Sequence, residues 1–322
     1  GDPALTVDED AGWTEVDFTG ALTDQAGNPV AATVTAVTQP TSGQAKLDGG
    51  KVYYKPNTDY NGDDQFTYTA DDGANPTDDT FFANPPKLKQ GKFTAFGMTR
   101  RPGRSTDNDP GLSALLDVKT PCVCIVGKTW DFHVKVALEI DMDENLAMIG
   151  DSIKHANEKT EEALFDAEHF FDGYKANPDY AIKCLMAAYE AGARWVVLCD
   201  TNGGTLPDEV EQIVSEVIEH IPGDHLGIHC HDDTGNAVAN SLAAVRAGVR
   251  QVQGTLNGLG ERCGNANLIS LIPSLMLKMG FETGISKDEL TKLTQVSHAL
   301  DERLNRAPDR GAPYVGESAF AH

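Results

Sequence analysis

Neither arginine nor cysteine occurs in the first 80 residues of this 322-residue chain, and basic residues are scarce throughout, 26 Lys and Arg against 49 Asp and Glu. The resulting net charge of −23 offers no basic face of the kind that phosphate contacts need, so nucleic acid is not expected as a partner. Long apolar runs are also missing. No stretch approaches the roughly 18 residues of a membrane span, and the start carries no signal-like pattern, so neither a membrane span nor an export signal is expected.

What charge there is falls unevenly. Residues 1–80 hold 15 acidic residues against 3 lysines, a net −12, while the remaining 242 hold 34 acids against 23 bases, a net −11. This composition break predicts a domain boundary near residue 80. All six cysteines, Cys122, Cys124, Cys184, Cys199, Cys230 and Cys263, lie beyond it, most of them within apolar strand-like or helical runs. That placement suits buried free thiols in a reducing cytoplasm better than a disulfide framework.

Residues 1–80 read as short alternating runs, Thr33–Thr38, Lys51–Pro56 and Gln65–Thr69, punctuated by Gly, Asn, Asp and Pro. Period two with β-branched and aromatic residues predicts an all-β sandwich. Val37–Gly43 and Tyr54–Tyr68 resemble the bacterial cadherin-like tandem repeat of large surface proteins, which implies an adhesive or spacing role, with calcium in many members. Acid clusters at Asp8-Glu9-Asp10, Asp63-Asp64 and Asp71-Asp72 offer oxygen ligands for calcium, or are solvated turn charges. After Gly73 the pattern gives Asp78–Pro86 where a last alternating strand should stand, so the sandwich is expected to be incomplete.

From Phe93 the chain alternates strand and helix. Apolar runs at Phe93–Gly97, Cys122–Gly127, Ala163–Glu168, Trp195–Asp200, Leu226–Asp232 and Gln251–Asn257 are separated by helical patterns such as Asp143–Lys159, Pro178–Ala191 and Pro207–Ile221. Such alternation predicts a parallel sheet with helical crossovers, of the TIM-barrel type, in which chemistry sits at the C-terminal strand ends. Polar residues end these strands: Glu168, then Asp200-Thr201, then His229 and His231, then Asn257 through Asn265. Two histidines at i and i+2 of a strand point the same way and can face one metal ion; alternatively one caps the following helix and the other packs in the core.

Asp200–Pro207, Gly227–Asp233 and Asn257–Leu268 resemble the signatures of the 2-isopropylmalate synthase and homocitrate synthase family of metal-dependent, Claisen-condensing TIM barrels. Asp166–Lys175 and Gly127–His133 are most similar to its citramalate synthase branch. The resemblance covers residues 81–322. It implies an acyltransferase that condenses acetyl-CoA with a small 2-keto acid, pyruvate foremost, in branched-chain amino-acid biosynthesis, with a homodimer as the usual assembly. It assigns His229, His231 and Asn265 as ligands of a divalent metal (Mn, Mg or Zn), Thr201 to the keto-acid carboxylate and Glu168 to catalysis in the substrate pocket. A related metal-dependent lyase would use the same ligands, and a surface module carrying a non-catalytic barrel fragment is the alternative from another class.

The family's first barrel strand carries an Asp-Arg-Glu constellation that has no counterpart here. The expected architecture is therefore multidomain: an incomplete cadherin-like sandwich over 1–80, then, over 81–322, a (β/α)8 barrel lacking its first two β/α units. Arg100-Arg101 belong to a later family stretch and do not replace the missing Arg. At Ser318–His322 the chain stops where the family continues into further domains.

Overall fold

A computed structural model describes residues 6–8, 11–16, 33–48, 51–62, 64–65, 68–71, 81–82, 85, 88 and 90–320. It divides into two compact units, Gly1–Lys89 and Gln90–His322.

In the first unit, β1 (Thr14–Val16), β4 (Lys51–Pro56) and β3 (Gly43–Asp48) form one antiparallel sheet, and β2 (Thr33–Val37) pairs with β5 (Tyr68–Asp71) in a second. Val16 and Val52 form a buried cluster in it, with Val37, Leu47 and Tyr54 packed against them. The strands β1 and β3 were not among those predicted, and β5 runs to Asp71. The expected calcium finds no support. The Asp64 carboxylate accepts the amides of Thr41, Ser42 and Gln65 and the Tyr54 hydroxyl at 3.0–3.1 Å, which makes it a turn-closing group. Glu9, Asp10, Asp63 and Asp72, like most of the expected Asp78–Pro86 irregularity, lie outside the described residues.

The second unit is built on six parallel strands, β6 (Thr94–Met98), β7 (Cys122–Lys128), β8 (Glu162–Glu168), β9 (Trp195–Asp200), β10 (Leu226–Cys230) and β11 (Gln251–Gln253), lying side by side in chain order. Helices cross between them: α1 (Pro110–Asp117), α2 (Asp131–Val136), α3 (Met142–Asn157), α4 (Phe170–Ala176), α5 (Pro178–Glu190), α6 (Pro207–Val217) and α7 (Ala237–Ala247). After β11 come α8 (Leu268–Pro273), α9 (Lys287–Leu290) and α10 (Leu293–Arg303).

Local chemistry explains where the helices start. Asp109, Asp141 and Asn177 each accept an amide hydrogen from the first turn of α1, α3 and α5, and Pro at the first helical position opens α1, α5 and α6. Helix α6 buries Val210, Ile213, Val214 and Val217, the i, i+3, i+4, i+7 face that its sequence pattern presents. Val196, Val197 and Leu198 of β9 are all fully buried, as a strand covered on both faces requires.

Strands β6 and β11 are the edges of this sheet among the described residues. On β6, Ala95 is buried while Phe96 and Met98 are 64% and 56% exposed. Two strands are shorter than expected. β10 stops at Cys230, because His231 and Asp232 turn their amides to Asp200 O and Gly264 O, and β11 stops at Gln253, with a single turn following at Leu256–Gly258.

Candidate active site

Strand register brings the polar ends together. Lys128 lies beside Glu168 across β7 and β8, Cys199 and Asp200 lie beside His229 and Cys230 across β9 and β10, and His229 lies beside Gln253 across β10 and β11. The His229 and His231 rings stand 5.2 Å apart between centroids, and His231 forms an isolated antiparallel bridge with Asn265. Past the end of β10, His231 thus keeps the neighbourhood of His229 through the loop that carries Asn265.

The bonding in this trio is directional. Asn265 Nδ2 donates to Leu259 O at 3.2 Å, which turns Oδ1 the other way; Asn265 Oδ1 and His231 Nδ1 are both buried without a hydrogen-bond partner. Burial first, then the nearby His229 and Arg262, push the His231 imidazole below its usual range, so at neutral pH it holds a free lone pair. Gly260 is required beside Asn265, since a Cβ there would stand 1.9 Å from Asn265 Nδ2. Among the described residues no group of three His, Cys, Asp or Glu stands where it could hold a metal ion.

Arg262 stitches three loops over the site. Its Nε and Nη2 donate to the two oxygens of Asp233 at 2.8 and 2.9 Å, and Nη2 also donates to Thr201 O at 2.6 Å. Gly203, at φ +61°, passes so close to Asp233 that a Cβ would lie 2.6 Å from Oδ2. Asp200, despite its place in the motif, is structural: it accepts Thr205 N at 3.2 Å and Thr205 Oγ1 at 3.0 Å, and burial raises its carboxyl above the usual range. The Asn265 loop is held from behind by Asn257, whose Nδ2 donates to Ser297 O at 3.0 Å and Asp301 Oδ1 at 2.9 Å, both in α10.

Thr201 follows β9 directly, and its Oγ1 accepts the His169 amide at 2.8 Å. Glu168, one residue before His169, forms an ion pair with Lys128. Glu168 is thus tied to Lys128, and Thr201 to His169. Lys128 went unrecognised in sequence although it lies in the Gly127–His133 stretch; its signal is that it ends β7 as Glu168 ends β8. Gln253 was missed too, and its signal is the Gln251-Val252-Gln253 alternation at the end of the sheet. A wall of aromatic rings stands beside Glu168: His133 meets His169 edge-on at 4.5 Å and Trp130 at 4.8 Å. Of the cysteines, five are buried free thiols and Cys263 is exposed.

Residues 104–297 match the family model described as HMGL-like, and residues 1–82 match that of a bacterial Ig domain, in keeping with the cadherin-like resemblance. An (R)-citramalate synthase of Aquifex aeolicus is 52% identical over 251 residues, covering 77% of this chain and 47% of that protein. Another, of Geobacter sulfurreducens, is 53% identical over 252 residues, covering 78% and 47%. The chain therefore spans about half the length of the curated relatives it matches. Among solved structures, a hydroxymethylglutaryl-CoA lyase from Pseudomonas aeruginosa aligns with a TM-score of 0.60 over 75% of this chain and 78% of that one, at 16% identity, a likeness of fold alone.

Proposed function

Because the chain belongs to the HMGL-like family, we propose that residues 81–322 carry a condensing site of the citramalate synthase kind, joining acetyl-CoA to a small 2-keto acid such as pyruvate. Residues 1–80 are read as a separate Ig-like module. The observation that carries the proposal is the pair of buried, unpartnered polar atoms, His231 Nδ1 and Asn265 Oδ1, next to His229. Buried polar atoms are rarely left bare, and two imidazoles with an amide oxygen fit a divalent ion such as Mn²⁺, Mg²⁺ or Zn²⁺. When bound, that ion would polarise the keto-acid carbonyl.

The chain's own groups supply the rest. Thr201 accepts from His169, so its hydroxyl hydrogen is available to a substrate carboxylate. Glu168, anchored by Lys128, is the proposed base. It takes a proton from the acetyl methyl group, the methyl carbon bonds to the keto carbon, the new alkoxide is protonated, and water cleaves the thioester to free CoA.

We read the edges of β6 and β11 as those of a barrel lacking its first two β/α units. Phe96 and Met98 support this, being exposed on the strand face that a closed barrel would cover. By the family pattern those units carry a metal-binding Asp and an oxyanion-facing Arg. The loss of each costs on the order of 10² in affinity or rate, so turnover is expected to be weak.

The test is CoA release from acetyl-CoA plus pyruvate, with Mn²⁺, after EDTA, and in a His229→Ala/His231→Ala chain. Metal-dependent release that the double substitution abolishes is the expected result. A folded chain that binds no divalent metal would overturn the reading.

A further inference from the structure

Asp166 and His229 lie on β8 and β10, which are separated by β9. Gln253 of β11 links them: its Nε2 donates to Asp166 Oδ1 at 2.9 Å, and its Oε1 lies 2.7 Å from His229 Nδ1. Asp166 is only 5% exposed, and Gln253 is the direct cross-strand neighbour of His229. Gly227, two residues before His229 on the same strand face, leaves the space that the Gln251 side chain fills.

The chemistry of the three groups fixes the direction of the relay. A carboxylate oxygen only accepts, so the Gln253 amide must turn its NH₂ to Asp166 and its oxygen to His229. An amide oxygen also only accepts, so the proton of the neutral His229 ring must sit on Nδ1, leaving the lone pair on Nε2. Burial pushes the Asp166 carboxyl up; the amide direction is the one its ionised form, which can only accept, imposes.

We propose that Asp166 and Gln253 are positioning residues: they lock His229 in the Nδ1–H tautomer and so present its Nε2 lone pair to a divalent metal. The metal half of this inference rests on the reading of His229 as a ligand; the tautomer half does not. Neither residue is assigned contact with substrate. An imidazole free in water favours the opposite tautomer, with hydrogen on Nε2, so the relay sets the ring against its intrinsic preference. Outer partners of this kind are worth roughly 10- to 100-fold in metal affinity.

The test uses the full chain, ¹⁵N-labelled and metal-free, with the His229 ring signals identified by their loss in His229→Gln. Long-range ¹H–¹⁵N correlation is expected to show hydrogen on Nδ1 in the parent chain and in Asp166→Asn, which still offers Gln253 an accepting oxygen. Gln253→Leu is expected to shift the ring toward Nε2–H and to weaken Zn²⁺ binding, measured by calorimetry, about 10- to 100-fold. Asp166→Asn should stay within about threefold of the parent, an allowance well inside that range. An Nε2–H ring in the parent chain would overturn the proposal by itself, even if Gln253→Leu failed to fold. A folded Gln253→Leu chain with unchanged tautomer and Zn²⁺ affinity would overturn it as well. An Nδ1–H ring in a folded chain that binds no Zn²⁺ would overturn the metal half together with the function proposed above, and leave the tautomer assignment standing.

Discussion

The hydroxyl oxygen of Thr201 accepts the backbone N–H of His169 at 2.8 Å, which ties the end of β9 to a left-handed residue, φ 54°, at the start of α4. The hydroxyl hydrogen is thereby directed elsewhere. Thr201→Val removes both the acceptor and that donor. A hydrogen bond to a charged group is worth about 2 kcal/mol, so pyruvate KM is expected to rise roughly 30-fold, whereas Thr201→Ser should stay close to the parent. Steady-state kinetics with both variants separates a hydroxyl effect from a change of shape.

Lys128 and Glu168 form the ion pair at the ends of β7 and β8. Lys128→Met keeps the stem of the side chain and removes the ammonium that anchors the carboxylate. The expected outcome is a fall in kcat of about 10²-fold with little change in metal affinity, in the range typical of a mispositioned general base. Equal kcat in the two proteins would dismiss Lys128 as the group that positions the base.

Much of this arrangement is legible in the sequence, and the illegible parts share one cause. The six strands follow from apolar runs, and the starts of α1, α3 and α5 from Asp or Asn caps, followed by Pro in α1 and α5, because both are local signals. The end of β10 is not local: it depends on Asp232 N reaching Gly264 O in a loop 32 residues further on. The role of Gln253 rests on a contact with Asp166, 87 residues away and three strands across. Strand β3, Gly43–Asp48, is not among the strands read from the sequence and exists through its full pairing with β4. Among site residues, His229, His231, Thr201 and Glu168 stand out because a polar group closing an apolar strand is conspicuous, and Asn265 stands out only through the family resemblance of Asn257–Leu268. Lys128 and Gln253 stand out only once register is known.

Arg100 is buried and donates to Glu144 at 2.8 Å and Asp151 at 2.9 Å, both on α3. Its hydrogen bond holds the Glu144 carboxyl below the usual carboxylate range. A carboxyl lowered on folding stabilises the fold above its unfolded pKa, and this contribution is lost as pH falls through the folded value. Arg100→Met is therefore expected to cost about 1–3 kcal/mol at pH 7, the penalty of unpairing groups whose acids are partly solvated, and less at pH 3. Urea unfolding of the two proteins at both pH values checks the sign.

A bound divalent ion should also show in heat stability. At 100 times its Kd the ion adds about 2.7 kcal/mol, which for a unit of this size raises Tm by roughly 5–10 °C. EDTA should abolish the gain, and His231→Ala should leave only a small part of it. Calorimetric melts with and without Mn²⁺ measure this without any substrate.

Asn257 is clasped to Ser297 and Asp301, and the Ser297 hydroxyl donates back to Asn257 Oδ1 at 2.8 Å. Helix α10 thus lies outside the sheet yet decides how the Asn265 loop stands. Any shortening of the chain that stops before residue 293 would take away the loop's rear clasp and leave it held from the sheet side, through Arg262 and the bonds of Asp232 N to Gly264 O and Ala266 N to Cys230 O, while one that stops after residue 303 would keep both sides. For anyone trimming or transplanting this site, its outer border is drawn at Ser297 and Asp301, some thirty residues past Asn265.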